Sequence, residues 1–284
     1  MASVSIRRAC VIGHPVAQAR SPVLHNYWLK KYGINGDYSR EDVAPDKIGE
    51  FLVNLGKHGY VGANITVPHK AAAYQALDIA EPVATSLKAA NTVWLENGRL
   101  HGTNTDVHGF LANLDESLPG WAVETEQAVV LGAGGGARAV VYGLLQRGFP
   151  RVVVVNRTLA RAEAFVVEFG DRVTATAFDA LTGWLPDADL LVNTTSLGMT
   201  GQPPLEIDLA PMQKGAAVCD IVYVPLETPL LAASRAHGLR TVDGLGMLLH
   251  QAVPAFERFF GMKPEVTREL RDAVLADIAR AQTR

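Results

Sequence analysis

Cysteine is scarce in this sequence, since only Cys10 and Cys219 occur among 284 residues. Both lie inside apolar runs typical of buried strands, so two free thiols in a reducing compartment are expected rather than a disulfide. The eight histidines form no H-E-x-x-H pattern, and neither a C-x-x-C pair nor a G-x-S-x-G turn occurs. The sequence therefore predicts no metal site and no serine hydrolase.

Long apolar runs and an excess of one charge are also lacking. No run reaches the roughly 18 apolar residues of a spanning helix, and Pro15 cuts the run 9–12 too short for a secretory signal. The 26 basic and 29 acidic residues give a net charge of −3 without a basic patch. We therefore expect a cytoplasmic protein with a small-molecule substrate and with neither a nucleic-acid nor a membrane partner. Monomer and homodimer both stay open.

The length and the order of segments predict an α/β protein with two domains. A chain of 284 residues, 48% of them hydrophobic, is long for a single core. Strand-like and helix-like segments alternate along it, which favours parallel or mostly parallel sheets covered by helices. The order of these segments breaks near Thr105, so the first domain is predicted to end at 105.

The predicted elements of the first domain are three strands, three helices and a hairpin with an Asn-Gly turn: strands 8–12, 37–43 and 60–67, helices 22–32, 45–55 and one that begins at Pro68, and hairpin 90–95 with 99–103. A second βαβ series follows: strands 128–131, 151–155, 190–193, 217–221 and 239–242, with helices 138–146 and 159–169. The stretches 247–260 and 264–281 are predicted to be helical.

Small residues connect the first strand of the second series to its helix: Gly132, Ala133, Gly134, Gly135, Gly136 and Ala137. This run fits the G-x-G-x-x-G/A pattern of dinucleotide-binding folds. We expect Gly132 to allow the tight turn, Gly134 to let the backbone approach a pyrophosphate, and Ala137 to let helix and strand pack closely. The N–H groups at the start of the helix would bind the phosphates.

The end of the next strand indicates which dinucleotide binds. An Asp or Glu usually stands there when the cofactor has a free ribose 2′-hydroxyl. This sequence has Asn156, Arg157 and Thr158 instead, with Arg161 one turn later. Two guanidinium groups and a hydroxyl suit a 2′-phosphate better than a ribose diol, although surface cations on a helix are the simpler alternative. The predicted cofactor is NADP.

Candidate catalytic residues follow the strand 60–67. Asn64 and Thr66 are predicted to share one face of that strand, and Lys70 to lie in the first turn of the next helix. The helix dipole and partial burial both disfavour the charged form of Lys70, so it is suited to giving or taking a proton. The alternatives are a solvated lysine and ordinary hydrogen bonds at a strand end.

Asp106 is the candidate partner of Lys70. In Asn104-Thr105-Asp106, the threonine or the aspartate is suited to capping a helix predicted over 109–114. A carboxylate beside Lys70 would instead orient the ammonium group and hold its proton.

The chain resembles the shikimate dehydrogenase family from about residue 10 to 261. The runs G-A-N-I-T-V-P-H-K (62–70) and G-T-N-T-D (102–106) are similar to the family's paired signatures. Other family motifs occur in the expected order, at 12–15, 21–26, 90–92, 193–199, 220–231, 244–248 and 251–252. The resemblance implies a substrate-binding catalytic domain of residues 1–105 completed by 245–284, and a Rossmann NADP-binding domain of residues 106–244.

The family activity implied is the NADP-dependent reversible reduction of 3-dehydroshikimate to shikimate in aromatic amino acid biosynthesis. Lys70 and Asp106 would form the catalytic dyad. The implied substrate-binding residues are Ser21, Asn64, Thr66, Asn91, Tyr223 and Gln251. The implied residues on the nicotinamide side are 193–199, with Thr195 among them, and Ile221, Gly244 and Met247. A quinate dehydrogenase on the same scaffold and a non-catalytic cofactor sensor are the alternatives.

Ala19 departs from the family pattern, and Val107 stands where the family often has a glycine after the aspartate. Members usually carry two hydroxyl residues, two apart, that bind the substrate carboxylate, and this chain has Ala19 and Ser21 there. A hydrogen bond to a charged group is worth roughly 1.5–3 kcal/mol. Its loss would weaken transition-state binding by roughly tenfold to a hundredfold. Ala19 therefore keeps a changed acid specificity open.

Overall fold

Two six-stranded sheets organise the chain, and each belongs to a unit of its own. The computed structural model describes residues 6–282. Unit 1 comprises the chain up to Thr105 together with the chain from Leu249 onward. Unit 2 is the continuous stretch Asp106–Leu248.

Unit 1 begins with alternating strands and helices and continues with short strands. Its elements before unit 2 are β1 (Arg7–Gly13), α1 (Ser21–Lys31), β2 (Gly36–Asp42), α2 (Ile48–Val53), β3 (Tyr60–Ile65), α3 (Lys70–Gln75), β4 (Ile79–Ala80), α4 (Pro82–Leu87), β5 (Thr92–Glu96) and β6 (Arg99–Thr103). In unit 2 the elements are α5 (Asp106–Ser117), β7 (Gln127–Leu131), α6 (Gly135–Gln146), β8 (Arg151–Val155), α7 (Leu159–Phe169), β9 (Val173–Thr176), a 3₁₀ helix (Phe178–Trp184), β10 (Leu190–Asn193), β11 (Ala217–Asp220), α8 (Pro229–Ala236) and β12 (Arg240–Val242). The last helices are α9 (Leu245–Phe260) and α10 (Arg268–Gln282).

The sheet of unit 1 is mixed, with strand order β2-β1-β3-β5-β6-β4. β1 runs parallel to β2 and β3, and β4 runs parallel to β6. β5 is antiparallel to β3 and β6, and the β5–β6 hairpin turns at Asn97 and Gly98, both with positive φ. Positive φ at both central residues is the type I′ geometry that an Asn-Gly turn predicts.

The two faces of this sheet bury different side chains. Cys10, Ile12, Ala63 and Ile65 face a core that includes residues of α2 and α3. The opposite face carries an aromatic cluster of His25, Trp28, Tyr38, Phe256, Phe259 and Phe260. The C-terminal helices therefore complete the core of unit 1. Helix α9 supplies the phenylalanines of that cluster, and α10 pairs with α1, where Arg20 of the α1 N-cap binds Asp277 at 2.6 Å.

The sheet of unit 2 is entirely parallel, with order β12-β11-β10-β7-β8-β9. Counted from β7, this is the doubly wound order 3-2-1-4-5-6 of Rossmann folds. The inner strands are mostly apolar, such as β8 with its four buried valines, because helices or loops cover both faces of the sheet. Strand order reverses between β7 and β10, and ligands bind outside the carboxyl ends of strands at such a point.

Several predicted bounds are wrong in ways that have physical causes. β3 ends at Ile65, so Thr66 follows the strand instead of sharing a face with Asn64. α2 begins at Ile48 because residues 45–47 form a turn, and α6 begins at Gly135 because the glycine run itself supplies its N-cap, Gly134. α5 begins at Asp106, so Asp106 is a helical residue and the helix is longer than predicted.

Some elements have no counterpart in the predictions: β4, α4, β9, the 3₁₀ helix and α8. No helix in residues 6–282 is long and apolar enough to cross a membrane. In the same residues, no three His, Cys, Asp or Glu side chains come together as a metal site. Cys10 and Cys219 are both free and buried.

Candidate active site

Asn64, the second-to-last residue of β3, lies in a buried polar cluster of unit 1. It is 5% exposed, and its Oδ1 accepts the Tyr38 hydroxyl at 2.6 Å. Its Nδ2 donates to Thr92 Oγ1 at 3.0 Å and to the Asn91 carbonyl at 3.3 Å. These three bonds fix the orientation of the amide, so its oxygen is held on the Tyr38 side.

Asn91 connects the cluster to Thr105, the last residue of the first segment of unit 1. Its Oδ1 accepts the Thr105 N–H at 2.7 Å and the Thr92 hydroxyl at 3.0 Å. The Thr105 hydroxyl lies 3.1 Å from the same oxygen and 3.5 Å from Oε1 of Gln251 in α9. The structure thus brings three predicted substrate residues, Asn64, Asn91 and Gln251, into one hydrogen-bonded cluster.

Lys70 begins α3 beside this cluster. Its main-chain carbonyl accepts the N–H of Ala90 at 2.9 Å, which ties the start of the helix to the residue before Asn91. The preceding His69 is buried, and its Nε2 lies 2.7 Å from the Val43 carbonyl. The backbone of Thr66 donates to the Ile12 carbonyl and accepts from the N–H of His69, so the turn between β3 and Lys70 is held at both ends.

Ser21 extends the cluster on its other side. It is the first residue of α1, is 8% exposed, and its hydroxyl is hydrogen-bonded to Tyr38. Tyr38 therefore connects Ser21 to Asn64. Sequence reasoning missed Tyr38, because a tyrosine in an alternating strand is usually a core residue; its only signal is the polar tip that a buried tyrosine has to pair.

The glycine run of unit 2 forms a turn at the carboxyl end of β7. Gly132 has φ +102° and donates its N–H to the Val155 carbonyl at 2.8 Å, and a Cβ there would lie 2.8 Å from Thr194 Oγ1. A Cβ at Gly134 or Gly135 would meet nothing within 4 Å. Ala137 is fully buried in the core between α6 and the sheet. The bare backbone of Gly134 and Gly135 thus faces open space at the start of α6.

The remaining small residues of the run support the turn. Ala133 packs partly buried against the core, and a Cβ on Gly136 would lie 3.0 Å from Ile221 Cδ1. A side chain larger than glycine at position 136 would thus crowd Ile221.

The residues after β8 lie at the same edge of the sheet as the glycine run, since Gly132 bonds to the last residue of β8. Asn156 is half-buried, and its Nδ2 donates to the Thr158 carbonyl at 2.8 Å. Thr158 is the N-cap of α7, and both Arg157 and Arg161 are exposed. Within residues 6–282, neither guanidinium has an ion pair or a hydrogen bond from its side chain.

A second buried polar group lies at the carboxyl ends of β10 and β11. Asn193 donates to Asp220 at 2.9 Å, and its Oδ1 accepts the Thr195 hydroxyl at 2.7 Å. Burial raises the pKa of Asp220, against the opposing effect of the hydrogen bonds from Thr228, the Val222 N–H and Asn193. This group fixes the loop that carries Thr195.

Gly244 and Met247 lie near the same edge. A Cβ on Gly244 would lie 2.3 Å from the Ile221 carbonyl, so the chain approaches β11 closely only because this residue is glycine. Met247 is partly buried against the core of unit 2. Unit 2 thus contains the predicted cofactor residues Thr195, Ile221, Gly244 and Met247, as well as Asp106 and Tyr223.

The doubly wound sheet and the glycine turn define unit 2 as a Rossmann-type dinucleotide-binding fold. Family models match three parts of the chain: the shikimate dehydrogenase substrate binding domain at residues 11–93, shikimate / quinate 5-dehydrogenase at 115–200, and the shikimate 5′-dehydrogenase C-terminal domain at 244–275.

Full-length relatives give the same result. A protein of Azorhizobium caulinodans named shikimate dehydrogenase (NADP(+)) is 57% identical over 96% of this chain and 98% of its own length. Shikimate 5-dehydrogenase of Thermus thermophilus, solved with NADP(H) and shikimate, is 34% identical, with a TM-score of 0.84 over 97% of this chain and 100% of its own. Quinate dehydrogenase of Corynebacterium glutamicum, solved with NAD, is 33% identical, with a TM-score of 0.88 over 95% of this chain and 99% of its own. The chain belongs to the shikimate dehydrogenase family.

Proposed function

We propose that this protein catalyses the NADP-dependent, reversible reduction of 3-dehydroshikimate to shikimate, a step of aromatic amino acid biosynthesis. The observation that carries the proposal is the position of Lys70 beside the buried cluster of Asn64, Asn91 and Gln251. The main chain of a lysine, a residue able to exchange a proton, thus adjoins amides and hydroxyls suited to a polyhydroxy acid. The relative that is 57% identical and named shikimate dehydrogenase (NADP(+)) supports the same function.

The residues present fit NADP. The open space at Gly134 and Gly135 admits a pyrophosphate to the start of α6, where backbone N–H groups lack helical partners. Arg157 and Arg161, unpaired within the described residues, would bind the 2′-phosphate with Asn156 and Thr158. Thr195, Ile221, Gly244 and Met247 would lie at the nicotinamide. When bound, the reduced cofactor supplies the hydride that the carbonyl carbon accepts.

Lys70 moves the proton in this proposal. In the reducing direction its ammonium group gives a proton to the ketone oxygen, and in the oxidising direction the neutral amine takes the proton of the hydroxyl. Asp106 is its proposed partner, which orients the ammonium group and stabilises its charge. The Thr105 N–H bond to Asn91 supports this role, because it fixes the backbone directly before Asp106.

The proposed substrate-binding residues are Ser21, Asn64, Thr66, Asn91, Tyr223 and Gln251. Amides can both donate to and accept from substrate hydroxyls, and those of Asn64 and Asn91 are already oriented by their neighbours. Such preorganisation lowers the entropy lost when the substrate binds.

Quinate oxidation is the second candidate. Ala19 removes one of the two hydroxyls that family members use for the substrate carboxylate, and a quinate dehydrogenase solved with NAD has a TM-score of 0.88 to this chain. The same fold, with Lys70 as the proton acceptor, would allow the oxidation of either shikimate or quinate.

The test is nicotinamide reduction by the purified protein with shikimate and with quinate, each with NADP and with NAD. We expect turnover with shikimate and NADP to exceed every other pair. Higher turnover with quinate than with shikimate would show that quinate oxidation, the second candidate, is the function. Absence of turnover with all four pairs would refute a dehydrogenase of these acids.

A cytoplasmic location is also proposed. The two cysteines are free and buried, which suits a reducing compartment. Fractionation of cells that express the protein would test this.

A further inference from the structure

Arg40 lies in β2 of unit 1, two residues after Tyr38, and its side chain is exposed. Alternate residues of a strand point to the same face, so Arg40 and Tyr38 share a face of the sheet. Arg40 is level with Val11 of β1, and Val11 is level with Asn64 of β3. Two strand spacings of about 4.8 Å place the Arg40 and Asn64 backbones roughly 10 Å apart.

The Arg40 guanidinium binds the loop between β1 and α1, which contains Ala19, the residue that differs from the family pattern. Its Nε and Nη2 donate to the Ala19 carbonyl at 3.0 and 2.7 Å. These bonds use the Nε–Nη2 edge of the group and leave the Nη1–Nη2 edge, which can pair with a carboxylate through two parallel bonds.

Arg40 is also close to the polar cluster. Burial and then Cys10 raise the pKa of Tyr38, while the Ser21 hydrogen bond and the charge of Arg40 act in the opposite direction. Arg40 thus lies within electrostatic range of the tyrosine that connects Ser21 to Asn64.

The basic side chains of the loop before α1 have carboxylate partners. His14 Nδ1 lies 2.6 Å from Asp42, and Arg20 lies 2.6 Å from Asp277. Within residues 6–282, Arg40 has no carboxylate partner, since the acidic residues beside it on β2 pair elsewhere: Asp37 with Arg8, Glu41 with Tyr60 and Asp42 with His14. Its charge therefore stays available to an anion from outside the chain.

We propose that Arg40 binds the carboxylate of the substrate and takes the place of the hydroxyl that Ala19 lacks. This inference rests on the proposed function and assigns to Arg40 the recognition of the substrate as an anion. The guanidinium holds the Ala19 loop through one edge and the substrate carboxylate through the other. Ser21 is the second hydroxyl position of the family, and its hydrogen bond to Tyr38 places it at the same cluster as Asn64.

The test compares an acid with its neutral ester. KM and kcat are measured at saturating NADP with shikimate and with methyl shikimate, for wild type, Arg40→Leu and Arg40→Lys. For Arg40→Leu we expect the KM for shikimate to rise roughly five- to tenfold, which is less than a buried charged hydrogen bond would give, because the site is exposed. The KM for the ester should stay within about twofold, since no charge is lost from that pair.

Two further results sharpen the test. Arg40→Lys keeps the positive charge but lacks the planar guanidinium group that forms two parallel hydrogen bonds. Its KM for shikimate should therefore lie between those of wild type and Arg40→Leu. Raising the salt from about 50 to about 500 mM should raise the KM for shikimate more in wild type than in Arg40→Leu. Lys47→Leu is the matched control, because it removes an exposed cation of unit 1 that is paired with Glu50, and it should leave both KM values unchanged.

An equal rise of KM for acid and ester in Arg40→Leu would overturn the proposal, because Arg40 would then act only by holding the Ala19 loop. An unchanged KM for shikimate would overturn it as well. Absence of wild-type turnover with shikimate would refute the proposed function first, and this inference with it, before any variant is compared.

Discussion

The two units use different parts of the chain to build their polar surfaces. In unit 1 the groups are side chains, and Asn64, Asn91 and Thr105 are buried and hydrogen-bonded to one another. In unit 2 the glycine turn presents backbone, and the nearby Arg157 and Arg161 are exposed. A mixed sheet carries the first arrangement and a fully parallel sheet the second.

This difference follows from the ligands. A small polyhydroxy acid is recognised by donors and acceptors in fixed places, which requires side chains that hold one another in position. A pyrophosphate is recognised by N–H groups at the start of a helix, which requires the absence of side chains. We therefore expect catalysis to depend most on the side-chain chemistry of unit 1. NADP binding should instead be sensitive to a single methyl group added to the glycine turn of unit 2.

Lys70→Ala gives the largest expected effect and tests the side-chain half of the comparison. We expect kcat/KM to fall roughly a hundred- to ten-thousandfold, because the proton donor is removed. The thermal midpoint should change little, since Lys70 is half-buried at the first turn of α3. Steady-state kinetics and thermal unfolding measure the two effects, with Lys47→Ala as the control. A loss of less than about tenfold would remove Lys70 from the catalytic role.

Gly132→Ala tests the backbone half. Its φ of +102° and the 2.8 Å approach of a Cβ to Thr194 Oγ1 predict a loss of unfolding free energy of roughly 1–3 kcal/mol and weaker NADP binding. Urea unfolding and NADP titration measure the two effects. Gly148→Ala is the matched control, because Gly148 has φ +94° but no atom within 4 Å of its Cβ. Equal NADP affinities in both variants would show that the turn does not bind the cofactor.

The double variant Arg157→Ser/Arg161→Ser sharpens the comparison within unit 2. We expect KM for NADP to rise roughly tenfold to a hundredfold, as for loss of charged hydrogen bonds, and KM for NAD to stay nearly constant. Arg151→Ser is the control, because Arg151 is an exposed arginine at the opposite end of β8. A parallel rise for both cofactors would argue against recognition of the 2′-phosphate.

His25 gives the smallest expected effect at neutral pH, where its ring is neutral in both the folded and the unfolded state, and it concerns stability alone. Burial lowers the pKa of His25 from 6.5 to about 3, and neither ring nitrogen has a hydrogen-bond partner among the described residues. The folded state therefore favours the neutral ring. The titration of His25 leaves the free energy of unfolding unchanged above pH 6.5. Between pH 6.5 and 3 it lowers that free energy by about 1.4 kcal/mol for each unit that the pH falls, because only the unfolded chain binds the proton.

His25→Phe should flatten the pH dependence of unfolding free energy by about that slope between pH 6.5 and 4. The ring would still stack on Tyr38, whose centroid lies 4.0 Å from that of His25. Urea unfolding at a series of pH values measures the slope. An unchanged slope would mean that His25 titrates normally in the folded protein.

Much of the fold was predictable because its signals are local. The strands 190–193 and 151–155 have the predicted bounds, since continuous apolar runs mark buried parallel strands. β9 was missed because its residues Val173–Thr176 are mostly half-exposed and show little apolar pattern. The family resemblance, and not any periodicity, predicted that the C-terminal helices return to the first domain.

Individual residues of the candidate site were predictable from the sequence, but the hydrogen bonds that connect them were not. Motifs identified Asn64, Asn91 and Gln251, whereas their connections through Tyr38, Thr92 and Thr105 depend on strand pairing, which the sequence does not display. Arg40 was missed for the same reason. Its significance comes from a bond to a backbone carbonyl, and no residue pattern marks such a bond.

The discontinuity of unit 1 limits the order in which its contacts can form during synthesis. Trp28 donates to the Glu265 carbonyl at 3.0 Å, and Glu265 is synthesised after all of unit 2. Because domains generally fold as units during synthesis, we expect the continuous stretch Asp106–Leu248 to fold before unit 1 is complete. The unit that carries Lys70 would then begin synthesis first and complete its core last.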